Sequence, residues 1–422
     1  MNAYDDAHHL QEVPMTICKR ALSGLALLAL LGAAACKDEA PKPAPEAPAA
    51  APAPNEAPKA PAEEPPKDAP AAQDAAPQAA EADVKLADEL KAQIKDAQLP
   101  YKERSKKENA RAFLYLAQSH DGEVAAAALQ GMNLSWTYSE RNDKKELVTP
   151  EYQAVVKKHL NAEDPAVLGR AIEAAPNAIA GANPDKDIIA RLAELALDHP
   201  QGAARYEAVD ALSRAKDFQK NGTVTVALLK ALDDKEPYVI STALFRLQFA
   251  AYSLKDKQQF FTKARALLKH QDPGVRGRAA LFTANAAPDT DKEALGAELH
   301  ELLSDKDPFV RSAAASALAR LKRLASIHKM VELLDDTTKN TYDIRDFKKL
   351  TGENGWVHHD GSAWSRVDDA ILYALKTITW DMKDDKFEYR KVNYKTKDDD
   401  IAAAVKDAKA WYKKNKGKLP KA

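Results

Sequence analysis

Cysteine is almost absent: Cys18 and Cys36 are the only two in 422 residues. Both lie ahead of residue 37, so the rest of the chain can form no disulfide, no thiolate metal site and no thiol nucleophile. Glycine is scarce as well, at 15 residues. No G-x-x-x-x-G-K run and no G-x-S-x-G elbow occurs, which removes the usual phosphate cradle and the hydrolase nucleophile turn. Charge of one sign is missing too. With 62 basic against 63 acidic residues, nothing in the global balance asks for nucleic acid or for a strongly acidic partner. The longest apolar stretch, Ala21 to Leu31, is eleven residues and too short to span a bilayer.

That stretch has the context of an export signal. The first fourteen residues carry Asp5, Asp6 and Glu12, the wrong sign for its basic end, so the reading starts at Met15. Lys19 and Arg20 then supply the positive charge, and Ala33-Ala34-Ala35 places small residues before Cys36. The segment resembles a bacterial lipoprotein leader, with Ala33 where leucine is preferred. The resemblance implies acylation of Cys36 as first residue of the mature chain, and Lys37 after it leans toward the outer membrane. Ordinary cleavage after Ala35 also fits the small-x-small rule, and would release a soluble periplasmic protein.

Residues 37–82 hold twelve of the 24 prolines, much alanine, and no aromatic or branched aliphatic side chain. Such a segment cannot build a core. As a disordered linker it would reach between about 40 Å coiled and about 140 Å extended. Placed after a candidate acylation site, it has the character of a tether.

Regular structure is expected from residue 83 to 422. Pro165, Pro200, Pro237, Pro273 and Pro308 recur at 35, 37, 36 and 35 residues. The clearest unit is Asp307-Pro308-Phe309-Val310-Arg311. Asp307 can cap a helix and Pro308 can open it, and Val310, Ala313, Ala314, Ala317 and Leu321 then share one face. Asp272-Pro273-Gly274-Val275-Arg276 repeats the pattern, and Glu236-Pro237-Tyr238-Val239 repeats it more loosely. A two-helix unit of this length cannot bury its apolar face alone, so neighbours must stack. These segments resemble HEAT repeats over about 107–380. The resemblance implies an all-α, right-handed α-solenoid of stacked hairpins, HEAT-like or armadillo-like, with a concave face. Helices near 83–97 and 398–415 are expected to cap its ends.

The last hairpin is interrupted at about 335–364 by an insertion containing Phe347, Trp356, His358, His359, Asp360 and Trp364. His358-His359-Asp360 is too compact for a metal site without distant ligands, so a hydrogen-bonded loop is the default and no metal or cofactor is expected. Trp356 and Trp364 are expected to pack on the solenoid. Arg276 and Arg311 occupy equivalent repeat positions. The family resemblance suggests a structural ladder for them, and Asp305 is a candidate member. The alternative is a cationic strip on the concave face, extended by Arg205, Arg246 and Arg278, for an acidic partner. The closing Lys409, Lys413, Lys414, Lys416, Lys418 and Lys421 are a solvated helix end favoured by the helix dipole.

The sequence therefore points to a noncatalytic scaffold or adaptor that binds a protein or peptide in a bacterial envelope, with Cys36 as membrane anchor and no nucleic-acid partner. Arg205, Arg246, Arg276, Arg278, Arg311, Trp356, His358, His359, Asp360 and Trp364 are the candidate contacts. Two alternatives stay open: a lyase-like HEAT enzyme or enzyme subunit with a pocket at the insertion, and a structural envelope spacer.

Overall fold

A computed structural model describes residues 81–96, 109–133, 148–340, 347–355, 366–382, 385–389 and 398–421, all within the compact unit 72–422. The fold is all-α. Among the described residues the only β contacts are isolated bridges, Lys339 with Arg366 and Lys348 with Asn354. The leader, Cys36 and the proline-rich linker lie outside the described residues.

Helix α1 (Glu81–Asp96) precedes a series of hairpins. These pair α2 (Asn109–Leu116) with α3 (Gly122–Met132), α4 (Pro150–His159) with α5 (Pro165–Ile179), and α6 (Lys186–Asp198) with α7 (Gly202–Leu212). Next come α8 (Gly222–Ala231) with α9 (Pro237–Ala250), α10 (Lys257–Ala266) with α11 (Pro273–Ala286), and α12 (Lys292–Glu301) with α13 (Pro308–Arg320). Helix α14 (Ile327–Glu332) pairs with α15 (Val367–Ile378), and α16 (Asp398–Asn415) follows.

The second helices begin as their sequences dictate. Asp164 accepts from the amides of Ala166 and Val167, Asp272 from Val275, and Asp307 from Phe309 and Val310, each followed by proline at the first helical position. A cap of this kind is worth about 1 kcal/mol. Pro200 differs, standing two residues ahead of α7. There Gly202 opens the helix, and the Tyr238 hydroxyl of the next hairpin sits where a Cβ at residue 202 would project. Several first helices end in a tight 3₁₀ turn, at Leu267–Lys269, Leu302–Ser304 and Leu333–Asp335, which bonds carbonyls a frayed end would leave open.

Packing runs helix to helix along the array. Each second helix contacts the next from α3 through α15, and the buried apolar residues from Ala87 to Leu419 form one cluster. Helix α13 shows why. Val310, Ala313, Ala314 and Ala317 are buried as expected, but so are Phe309, Ser312, Ala315, Leu318 and Ala319. A second helix is enclosed by its own partner and by both neighbours, so burial wraps around it instead of following one stripe.

Helix α16 closes the end. Its Trp411 indole donates to the Asp385 carbonyl at 2.7 Å, and Tyr412 hydrogen-bonds His328 at 2.8 Å. Of the closing lysines, Lys409 pairs with Asp335 and Lys418 with Asp385. No described helix is long and apolar enough to cross a membrane.

Candidate functional site

An arginine at the fourth position of a second helix joins consecutive hairpins. The Arg276 guanidinium donates to both carboxylate oxygens of Asp305 at 2.8 Å, and to the carbonyls of His270 and Gln271 at 2.9 and 2.8 Å. Arg205 does the same with Asp234, at 2.7 and 2.9 Å, and with the carbonyls of His199 and Pro200. Arg311 pairs with Asp336 and donates to the carbonyls of Asp305 and Lys306. The carboxylate of Asp305 thus belongs to Arg276 of the preceding repeat, while Arg311 takes its carbonyl.

Each ladder aspartate also accepts the backbone N–H two residues on, at Glu236, Asp307 and Thr338. Where the preceding helix lacks the arginine, histidine takes this post. His199 and His270 accept through Nδ1 from Gln201 and Asp272, in the hairpins that follow α5 and α9, whose fourth residues are Leu168 and Ile240. Burial, with Arg191 and Arg205 nearby, holds the His199 imidazole below its ordinary range and so keeps it a neutral acceptor.

A strip of free cations does not exist on these helices. Arg205 is a ladder rung. Arg246 pairs with Asp210, which Arg214 also holds, and these cations keep the half-buried Asp210 carboxyl down at about 2. Arg278 is fully buried, 4.6 Å from the Phe245 ring centre and 5.4 Å from that of Phe309. Sequence shows the cation but not its neighbours, which is why these residues looked available. Trp356, His358, His359, Asp360 and Trp364 lie outside the described residues. Among the described residues, no group of three His, Cys, Asp or Glu side chains could hold a metal.

Beyond residue 340, the described part of the insertion is a turn, residues 347–355, laid across the second helices. Lys349 N–H bonds the Glu353 carbonyl at 2.9 Å, Gly355 N–H bonds that of Phe347 at 3.0 Å, and Gly352 takes the tip with φ of 78°. That φ suits glycine. Phe347 stacks on Tyr238 of α9, with ring centres 4.2 Å apart, and meets Tyr206 of α7 edge-on at 4.7 Å. Such pairs are worth about 0.5–1.5 kcal/mol each beyond their burial.

Charges fix the other side of the turn. Lys349 pairs with Glu173 of α5 at 3.0 Å, and Glu353 with Arg170 at 2.6 Å. The Leu350 N–H donates to Glu207 Oε1 on α7 at 3.0 Å. Gly169 gives the tip its room, since a Cβ there would stand 2.9 Å from Leu350 Cβ and 3.0 Å from Thr351 Cγ2. Three carboxylates, Glu173, Glu207 and Glu353, thus face two cations, Arg170 and Lys349. The most buried carboxyl carries the imbalance. Burial and the neighbouring Glu173 push Glu207 up to about 7, and its Oε2 has no hydrogen-bond partner. Thr351 Oγ1, beside the same glycine, is also buried without one.

Sequence reasoning named none of Arg170, Glu173, Tyr206, Glu207, Tyr238 or Lys349 as site residues. Phe347 was noticed only as part of an aromatic, polar insertion.

Residues 262–343 match the family model described as HEAT repeats. No curated protein matches the chain. Among solved structures, an archaeal HEAT-like repeats protein from Thermococcus onnurineus NA1 is 15% identical, covering 57% of this chain and 96% of its own, with a TM-score of 0.44. A designed armadillo repeat protein is 20% identical over 50% of this chain and 98% of its own, with a TM-score of 0.38. Another, solved in complex with the peptide (KR)4, is 20% identical over the same shares, with a TM-score of 0.39. With its hairpins stacked second helix on second helix, the chain is an all-α solenoid in which residues 262–343 are similar to HEAT repeats.

Proposed function

We propose that this protein is a noncatalytic interaction scaffold, tethered to a bacterial cell envelope through Cys36 and holding its solenoid in the periplasm to bind a protein partner. The observation that carries the binding reading is the docked turn. A nine-residue stretch of polypeptide is held on the second helices by an aromatic stack, two ion pairs and a backbone hydrogen bond. This face is therefore chemically suited to polypeptide. The tether supports the reading because confinement near a membrane raises effective concentration and lets modest affinity suffice. Lys37 after the cysteine favours the outer membrane.

The test is site-specific photocrosslinking in the native cell. Probes replace the exposed Phe249 and Tyr252, near the C-terminal end of a second helix, and Lys263, on a first helix. Partner adducts from the first two positions, but not from Lys263, support the scaffold. Adducts from none of them would remove it. Cys36→Ala should abolish incorporation of labelled fatty acid, and retained labelling would remove the anchor.

A further inference from the structure

The turn at residues 347–355 fits its site incompletely. Its own backbone bonds close within it, so it docks as a unit and could leave as one. With Lys349 of the turn and Arg170 of α5 against three carboxylates, the cluster is one positive charge short, and two buried polar atoms beside Gly169, Glu207 Oε2 and Thr351 Oγ1, go without partners. A buried unpaired acceptor costs free energy that a ligand with a suitable donor would recover. A tethered segment can nevertheless hold such a site, because its effective concentration is of millimolar order.

We propose that the surface formed by Gly169, Arg170, Glu173, Tyr206, Glu207 and Tyr238 is a binding site for a turn-forming segment of a partner protein, bearing one aromatic and two basic side chains, and that residues 347–355 occupy it when the partner is absent. The aromatic takes the place of Phe347 on Tyr238. One basic side chain replaces Lys349 at Glu173. The second reaches Glu207 Oε2, where the resident turn offers nothing. Release of the turn exposes Tyr206 and Tyr238, so exchange with another aromatic ligand is favoured over an open state. This inference rests on the scaffold reading and deepens it.

The test uses the full chain and two synthetic peptides, one with the sequence 347–355 and one with Thr351→Lys in it, read by fluorescence anisotropy. The wild-type chain should bind the first peptide weakly, because its own turn competes. The Phe347→Ala/Lys349→Ala chain should bind it about tenfold or more tighter, as its competent fraction rises. The Thr351→Lys peptide should gain about a further tenfold, and that gain should vanish in a Glu207→Gln chain. If the double variant loses its helical circular dichroism, Lys349→Ala/Glu353→Ala, which leaves the Phe347 stack in place, is used instead. Equal binding to the wild-type and opened chains overturns the proposal, as does a lysine gain that is absent or survives Glu207→Gln. Partner crosslinks at Phe249 or Tyr252 that persist after such a failure would leave the scaffold standing without this site.

Discussion

Replacing Glu207 by glutamine should make the protein more stable, by a margin that grows as the pH rises from about 4.5 through 7. The carboxyl sits among Arg170, Glu173, Lys349 and Glu353, accepts the Leu350 N–H, and is raised from 4.5 to about 7. An acid whose folded pKa is raised binds more protons when folded. Its favourable contribution is complete below about pH 4.5 and is lost as the pH rises through 7. Moving the carboxyl from 4.5 to about 7 corresponds to about 3 kcal/mol withheld from the ionised protein. Glutamine keeps an acceptor for Leu350 and carries no charge. The variant should therefore gain about 2–3 kcal/mol on the wild type between pH 5 and pH 8. Asp210, held at about 2, titrates below this window and is common to both chains, so it cancels. Urea midpoints measured from pH 5 to pH 8, with hydrogen exchange of the Leu350 amide as a local probe, read the difference. A gap that does not change with pH, or a wild type more stable at pH 8, would refute the charge imbalance at Glu207.

Two further outcomes follow from the packing. Arg276→Ala leaves Asp305 buried without its cation and should cost about 3–5 kcal/mol, whereas the pair Arg276→Ile with Asp305→His, which copies Ile240 and His270, should regain most of that loss in the same urea titration. Gly202→Ala drives a methyl into the Tyr238 hydroxyl and against Glu236 Cγ and should lower stability by about 1–3 kcal/mol, relieved in part by adding Tyr238→Phe; a loss untouched by that second change would place the strain elsewhere.

What was legible in the sequence was whatever is encoded locally. A proline at the first turn of a helix, an aspartate before it and alanines after it act within a few residues of one another, so Asp272-Pro273 and Asp307-Pro308 announced their helices and the all-α class. The ladder was half legible. Arg276 and Arg311 stand out as equivalent, but the sequence does not announce the recurrence of a histidine or aspartate two residues before a helix cap, at His199, Asp234, His270 and Asp305. The docked turn was not legible at all. Lys349 meets Glu173 and Phe347 meets Tyr206 from far along the chain. No spacing rule links such positions, and the resemblance that supplied the repeats is silent about an insertion.

The rungs also restrict which hairpins can sit side by side. Alanine-lined faces such as those of α5 and α13 resemble one another closely, so apolar packing alone distinguishes poorly between the correct neighbour and another hairpin. The rung chemistry distinguishes them sharply. Stacking α7 against the loop at His270 would bury Arg205 opposite an imidazole, and stacking α9 against the loop at Asp305 would bury that carboxylate opposite Ile240. Either error strands a charge in a dry contact, at about 3–5 kcal/mol, more than one shallow alanine contact can return. The pairing of arginine with aspartate and of apolar residue with histidine therefore makes neighbour choice a matter of charge satisfaction, since a hairpin set beside a neighbour of the wrong kind leaves a rung open.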